Sequence, residues 1–176
     1  MIHACAHAAR AAFALAIAAA VLTGCLIPRT ELAVSYDTSQ GGYIHETGDG
    51  RIKGQAFLRR TNGRPAYAAG RTVYLIPVTD YASARIDKLF GNQKFVDFYT
   101  ASFRQIANTD PVYLRDQRTT RADDLGHFSF SGVAPGRYIV MTSMFWLEGD
   151  LVSGGAFFDY VTIDGTETLK LVLSVD

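Results

Sequence analysis

From Gly50 to the C terminus, apolar side chains return at every second position in short runs, and glycine- or proline-bearing turns separate the runs. This rhythm constrains the fold more than any other feature, because a period of two lines one face of a strand, whereas a helix repeats near 3.6. GRIKGQAFLRR places Ile52, Gly54, Ala56 and Leu58 on one face, and TNGRPAYAAG supplies turn residues before a second strand, RTVYLIPVT. Pro77 in that strand donates no ladder hydrogen bond, which marks an edge or a bulge. In LGHFSFSGVAPGRYIVMTSMFWLEGD, Phe128 and Phe130 alternate with polar neighbours, and Pro135-Gly136 turns the chain into a strand from Arg137 to Trp146. GAFFDYVTI and TETLKLVLSV follow, joined by the hairpin signal Asp164-Gly165. With ELAVSYD (Leu32, Val34, Tyr36) as an opening strand, the pattern predicts a mainly β chain: an antiparallel β-sandwich of seven to eight strands.

One segment breaks the rhythm. NQKFVDFYTASFRQIAN sets Phe95, Phe98, Tyr99, Phe103 and Ile106 at helical spacing, with Asn92 available as N-cap, and predicts a short helical insert over residues 82–107. Arg85, Lys88, Lys94 and Arg104 are expected on its outer face.

The N terminus is of another kind. Arg10 is the one charge in residues 1–24, and an apolar run from Ala11 to Leu22 follows it. About a dozen residues fall short of the roughly 20 that span a bilayer and match a cleaved signal peptide instead. Leu22-Thr23-Gly24-Cys25 resembles the bacterial lipobox, in which cleavage leaves a lipidated cysteine at the new N terminus. The resemblance implies a signal peptide at 1–24, a lipidated Cys25 with a linker at 25–31, and a sandwich domain at 32–176. It also implies a cell membrane-anchored lipoprotein. Leu26 stands where an aspartate would favour inner-membrane retention, which points to the outer membrane facing the periplasm.

Loss of residues 1–24 leaves 152 of 176 residues, with 16 Lys and Arg, one fewer than the whole chain's 17, against 17 Asp and Glu. Near neutrality argues against nucleic acid as a partner. Cys5 leaves with the signal and Cys25 takes the lipid, so no internal disulfide or cysteine metal site remains.

Gly54 with QAFL, Gly63-Arg64-Pro65 before TVYLIP, Gly126-His127-Phe128-Ser129-Phe130 and Pro135-Gly136-Arg137-Tyr138 together resemble the carboxypeptidase regulatory-like domain, a transthyretin-like (prealbumin-like) sandwich. The resemblance covers about residues 50–176, with 80–118 unmatched, and it implies fold far more than function.

Catalytic chemistry finds little support. His45 and His127 are the two histidines beyond the signal, no H-x-H or H-x-x-E spacing accompanies them, and no G-x-S-x-G occurs. The chain lacks the Tyr-Arg-Gly-Ser ending of the related hydroxyisourate hydrolases and the His/Tyr iron motif of intradiol dioxygenases. Asp123-Asp124 reads as an acidic turn rather than a calcium loop. The expectation is a non-enzymatic envelope protein without metal or cofactor, offering an interaction surface to an envelope protein partner. The alternative is a carbohydrate- or peptidoglycan-binding module. Candidate binding residues are Trp146, Phe157 and Tyr160 near one end of the sandwich, and Phe98 and Phe103 on the insert, since aromatic rings stack on sugars or grip protein partners.

Overall fold

In the computed structural model, which describes residues 29–175 apart from the side chain of Phe103, the alternation becomes strands that face each other across one core. The chain opens with β1 (Arg29–Thr30), a short helix α1 (Thr38–Gly41) and a 3-10 turn (Gly42–His45). β2 (Gly50–Arg59), β3 (Pro65–Tyr67) and β4 (Thr72–Pro77) follow. The insert comprises α2 (Asp80–Phe90), β5 (Phe95–Asp97), α3 (Phe98–Phe103) and β6 (Gln105–Ile106). Then come α4 (Pro111–Arg115), β7 (Arg118–Arg121), β8 (His127–Val133), β9 (Gly136–Glu148), β10 (Leu151–Ile163) and β11 (Thr168–Leu173). Residues 1–24 and Cys25 lie outside the described residues.

One sheet runs β5-β10-β9-β4-β7; in the other, β2 has β11 on one side and β8 and β3 on the opposite side. The fold is a two-sheet β-sandwich in which antiparallel pairs dominate. Its core takes Ile52, Ala56 and Leu58 from β2, Phe128 and Phe130 from β8, Tyr138, Val140 and Met144 from β9, and Phe157 from β10. Each large apolar side chain so buried contributes about 1.5–3 kcal/mol. Gly126 opens β8 with φ of 78°, and a Cβ there would lie 2.3 Å from the Ala56 carbonyl oxygen, so glycine alone lets β8 start this close to β2. After the Pro135 turn, the buried Tyr138 hydroxyl donates to the Ala134 carbonyl at 2.7 Å and ties strand to turn.

A second core lies on the outer face of the five-stranded sheet, where Ile76, Ile139 and Phe158 meet Tyr81, Ala82, Ile86 and Phe90 of α2 and Tyr113 of α4. The insert therefore docks on the sandwich, and its details differ from the sequence expectation. Thr79 and Asp97, rather than Asn92, cap its helices through bonds from the Ala82 and Thr100 amides. Phe95 belongs to a strand on β10's edge and packs towards the inter-sheet core, so the aromatic stripe does not share one helix face. Arg85 turns inward over the rings of Tyr81 and Tyr113.

Other expectations are corrected by the pairing. ELAVSYD forms no strand; Leu32 and Tyr36 of this segment instead pack against the outer core. β4 is interior, yet Pro77 costs no ladder bond because pairing with β7 stops at Leu75. Asp164-Gly165 closes no hairpin: β11 crosses to the opposite sheet and runs parallel to β2. The long antiparallel hairpin is β9–β10, in register from Gly136 with Ile163 to Glu148 with Leu151. Short strands β1, β3, β5 and β6 bring the described total above the expected seven to eight.

Candidate functional site

Side chains at 138, 140, 142, 144, 146 and 148 of β9 share the inward face, and its last two members emerge from the core. Trp146 is half-buried there, with Ser153 as its partner across the ladder. Its six-membered ring covers Gly154, where a Cβ would lie 2.9 Å from Cζ3 and where φ is 99°. An aromatic side chain thus shields a strand glycine that no larger residue could replace. Arg60 lies over the indole, 5.1 Å from the ring centre. Trp146 Nε1, on the edge away from Gly154, is buried and has no hydrogen-bond partner among the described residues.

Beside it stands Glu148. The Thr61 hydroxyl donates to Glu148 Oε1 and the Ser153 hydroxyl to Oε2 at 3.2 Å. The Thr61 bond chiefly holds this carboxyl below the ordinary glutamate range, with the Ser153 bond, the nearby indole and the Arg60 charge adding to it. Glu148 is therefore an ionised acceptor at neutral pH. Leu58, Arg59, Phe95 and Val175 complete a groove of about 340 Å³ around these groups. A further hollow of about 610 Å³, lined by Asn92, Gln93, Lys94 and Ser174, shares Phe95 and Val175 with it. The two adjoin at these shared residues along the open side of the sandwich, and the stretch they cover, between β5 of one sheet and the end of β11 of the other, is the candidate channel.

The opposite side of the sandwich is clamped at one end, where the Arg118 guanidinium donates to the Gly132 and Ser131 carbonyls of β8. A further hollow of about 520 Å³ remains at its other end around Lys53, Arg121 and His127.

The aromatic residues singled out from the sequence do not gather. Trp146 lines the groove, whereas Phe157 is 0% exposed in the inter-sheet core, so its expected place on a binding surface is wrong: it shares the inward parity of Gly155 and Val161. Tyr160 is 41% exposed but lies on the outer face, edge-on to Phe158. Phe98 is half-buried, stacked edgewise on Phe145 at 5.2 Å and on Tyr99 at 5.6 Å. The side chain of Phe103 and the lipidation candidate Cys25 lie outside the described residues.

The histidines stay apart. His45 Nε2 lies 2.9 Å from Asp116, and His127 Nδ1 lies 3.1 Å from Asp123. Gly48, three residues past His45, abuts Val133 at one end of β8, while His127 begins the other end. At a strand's rise these ends are roughly 20 Å apart. Asp123 is engaged in the turn, accepting from the Leu125 and His127 amides. Among the described residues no cluster of three or more His, Cys, Asp or Glu could hold a metal ion. No described helix is long and apolar enough to cross a membrane.

Sequence reasoning missed Glu148, Thr61, Ser153, Asn92 and Gln93, which reach one channel from separate strand ends and loops. One signal was present: Glu148 follows Trp146 by two residues, on the same face, directly before the Gly149-Asp150 turn.

No protein-family model matches the chain. No curated protein matches it either. Among solved structures, a candidate carbohydrate-binding protein of Pseudomonas aeruginosa superposes with a TM-score of 0.70 at 23% identity, over 81% of this chain and 99% of that one. A 9R-lipoxygenase of Cyanothece aligns with a TM-score of 0.28 at 10% identity, over 84% of this chain and 18% of the enzyme, and carries no structural argument. The Pseudomonas protein is a neighbour in fold.

Proposed function

We propose that this chain is a non-enzymatic carbohydrate-binding sandwich, carried at the cell envelope on a lipidated Cys25, with the Trp146 channel as its binding surface. One observation carries the reading: the rings of Trp146 and Phe95 and the hydrogen-bonding side chains of Thr61, Glu148, Asn92 and Gln93 line adjoining solvent-open hollows, and sugars present both apolar C–H faces and hydroxyls. Trp146 is half-buried against Gly154 with Arg60 over its ring, so it lends the groove apolar surface rather than an open stacking face. Glu148 accepts from sugar hydroxyls, and Asn92 and Gln93 both donate and accept. The fold neighbour from Pseudomonas aeruginosa, itself a candidate carbohydrate-binding protein, supports the same reading.

Binding without hydrolysis suits the lining. Glycoside hydrolysis takes a pair of carboxyl groups, and Glu148 is the one carboxylate among the described residues that line the channel.

The test is a glycan array followed by titration calorimetry with wild type, Trp146→Ala and Glu148→Gln. Wild type is expected to retain a defined glycan, and each substitution to weaken it by about tenfold or more, which is some 1.4 kcal/mol. Retention unchanged in both variants would move the site elsewhere, and an array without signal would remove the reading.

A second reading, a protein-docking surface, rests on a different patch. Tyr99 (52% exposed), Phe145 and Leu147 project from α3 and the β9–β10 hairpin. A photo-crosslinker at Tyr99 that captures one envelope protein reproducibly in cells would establish it.

A further inference from the structure

Building on the carbohydrate reading, we propose that the channel binds a run of sugar residues within an uncharged polymer, rather than a single sugar or a chain terminus. Extent is the first argument. The Trp146 ring covers Gly154 and the Phe95 ring reaches over Gly155, so the two rings are neighbours along β10, while the Phe95 backbone pairs further along that strand, with Phe157. Asn92 lies up to three residues beyond Phe95, adding at most ~10 Å. The two hollows together exceed one sugar ring.

Continuity is the second. The two hollows share Phe95 and Val175, so an apolar centre joins a polar end at Glu148 to another at Asn92 and Gln93. A chain lying lengthwise sets ring faces on the centre and hydroxyls at both ends. A pocket for one sugar would instead enclose it from several sides, whereas Thr61, Asn92, Gln93 and Lys94 are all solvent-exposed.

Charge is the third. The lining cations are Arg59 and Lys94, and Lys94 is already matched by Asp159 at 2.6 Å. Glu148 faces Arg60, which lies over the indole, and this leaves Arg59 as one unmatched cation. A single cation provides no counterion stripe for a polyanion.

The probe is a length series, monomer to hexamer, of β-1,4-linked glucose and N-acetylglucosamine oligosaccharides, with alginate as the polyanionic control. It is titrated against the full chain purified in detergent. Affinity is expected to rise by at least about tenfold from monomer to tetramer in one series. The double substitution Asn92→Ala, Gln93→Ala is expected to weaken the tetramer several-fold and by more than it weakens the dimer. Both residues are exposed, so this variant keeps the fold even if Trp146→Ala does not. A monomer that binds as tightly as the tetramer overturns this inference and leaves the carbohydrate reading standing. Alginate binding more tightly than either neutral series overturns the choice of an uncharged chain. Absence of binding to every glycan at every length removes both readings together.

Discussion

Phe157 and Phe158 are consecutive on β10 and belong to different cores. Phe157 lies between the sheets among side chains from β2, β4, β8 and β9 that regular ladders hold in register. Phe158 lies on the outer face, edge-on to Phe90 at 4.7 Å, under helices that no ladder constrains. Hydroxyls within the inner core are answered by backbone nearby: the Thr142 hydroxyl donates to the Thr72 carbonyl at 2.8 Å, and Tyr138 to Ala134. The outer core includes tyrosines. Tyr36, Tyr81 and Tyr113 meet edge to face in a triangle with 5.0–5.7 Å between ring centres. Asp116 draws Tyr36 and His45 to it from 80 and 71 residues away. Pleat geometry builds one core, whereas long-range polar bonds secure the layer over the other.

The largest contrast is expected from truncating the two phenylalanines. Phe157→Ala leaves a cavity walled by two rigid sheets and should cost about 4–5 kcal/mol, the upper part of the range for buried Phe→Ala. Phe158→Ala should cost nearer 3 kcal/mol, since α2 can settle into part of the space. Urea unfolding of the two variants measures this directly. A loss at Phe158 equal to or above that at Phe157 would show the helical layer to be as unyielding as the sheets.

That contrast also separates what was legible in the sequence from what was not. The alternation in β2, β8, β9 and β10 carries the inner core on its surface, and Phe128, Phe130 and Tyr138 lie where period-two reading places them. ELAVSYD shows the same alternation and misleads, because Leu32 and Tyr36 face an outer layer that exists only once α2 and α4 have docked. β5 is three residues long and hidden within a helical-looking stripe, yet it forms the wall of the channel. Glu148, Thr61, Ser153 and Asn92 were illegible for a related reason. Each is an ordinary polar residue near a strand end, and only the packing of one sheet on the other brings them to one channel.

A middle-sized effect is expected at Asp116. Asp116→Asn keeps the shape but removes the charge that receives the Tyr36 hydroxyl at 2.8 Å and faces His45, and it should cost about 1–3 kcal/mol. Burial pushes this carboxyl upward, but the hydrogen bonds from His45 and Tyr36 outweigh burial and leave it below the ordinary aspartate value. A carboxyl lowered in the folded state contributes stability that is complete above about pH 4 and fades as pH falls through the lower folded value. The wild-type advantage over Asp116→Asn should therefore shrink on acidification below pH 4. An advantage that stays constant there would mean that the charge of Asp116 adds nothing.

The smallest effect is expected at the far end of the same tie. His45 is 61% exposed at its side chain, so water competes for Asp116 and the contact is worth no more than an exposed surface pair, about 0–1 kcal/mol. Tyr36→Phe removes a hydrogen bond that is more enclosed and should cost about 0.5–1.5 kcal/mol. The order matters more than the sizes. If the outer layer is secured from within, Tyr36→Phe must exceed His45→Ala, and the double variant must approach Asp116→Asn. A His45→Ala variant that loses more than Tyr36→Phe would place the decisive bond at the solvent edge. The 3-10 turn, rather than the tyrosine triangle, would then fasten this layer to the sandwich.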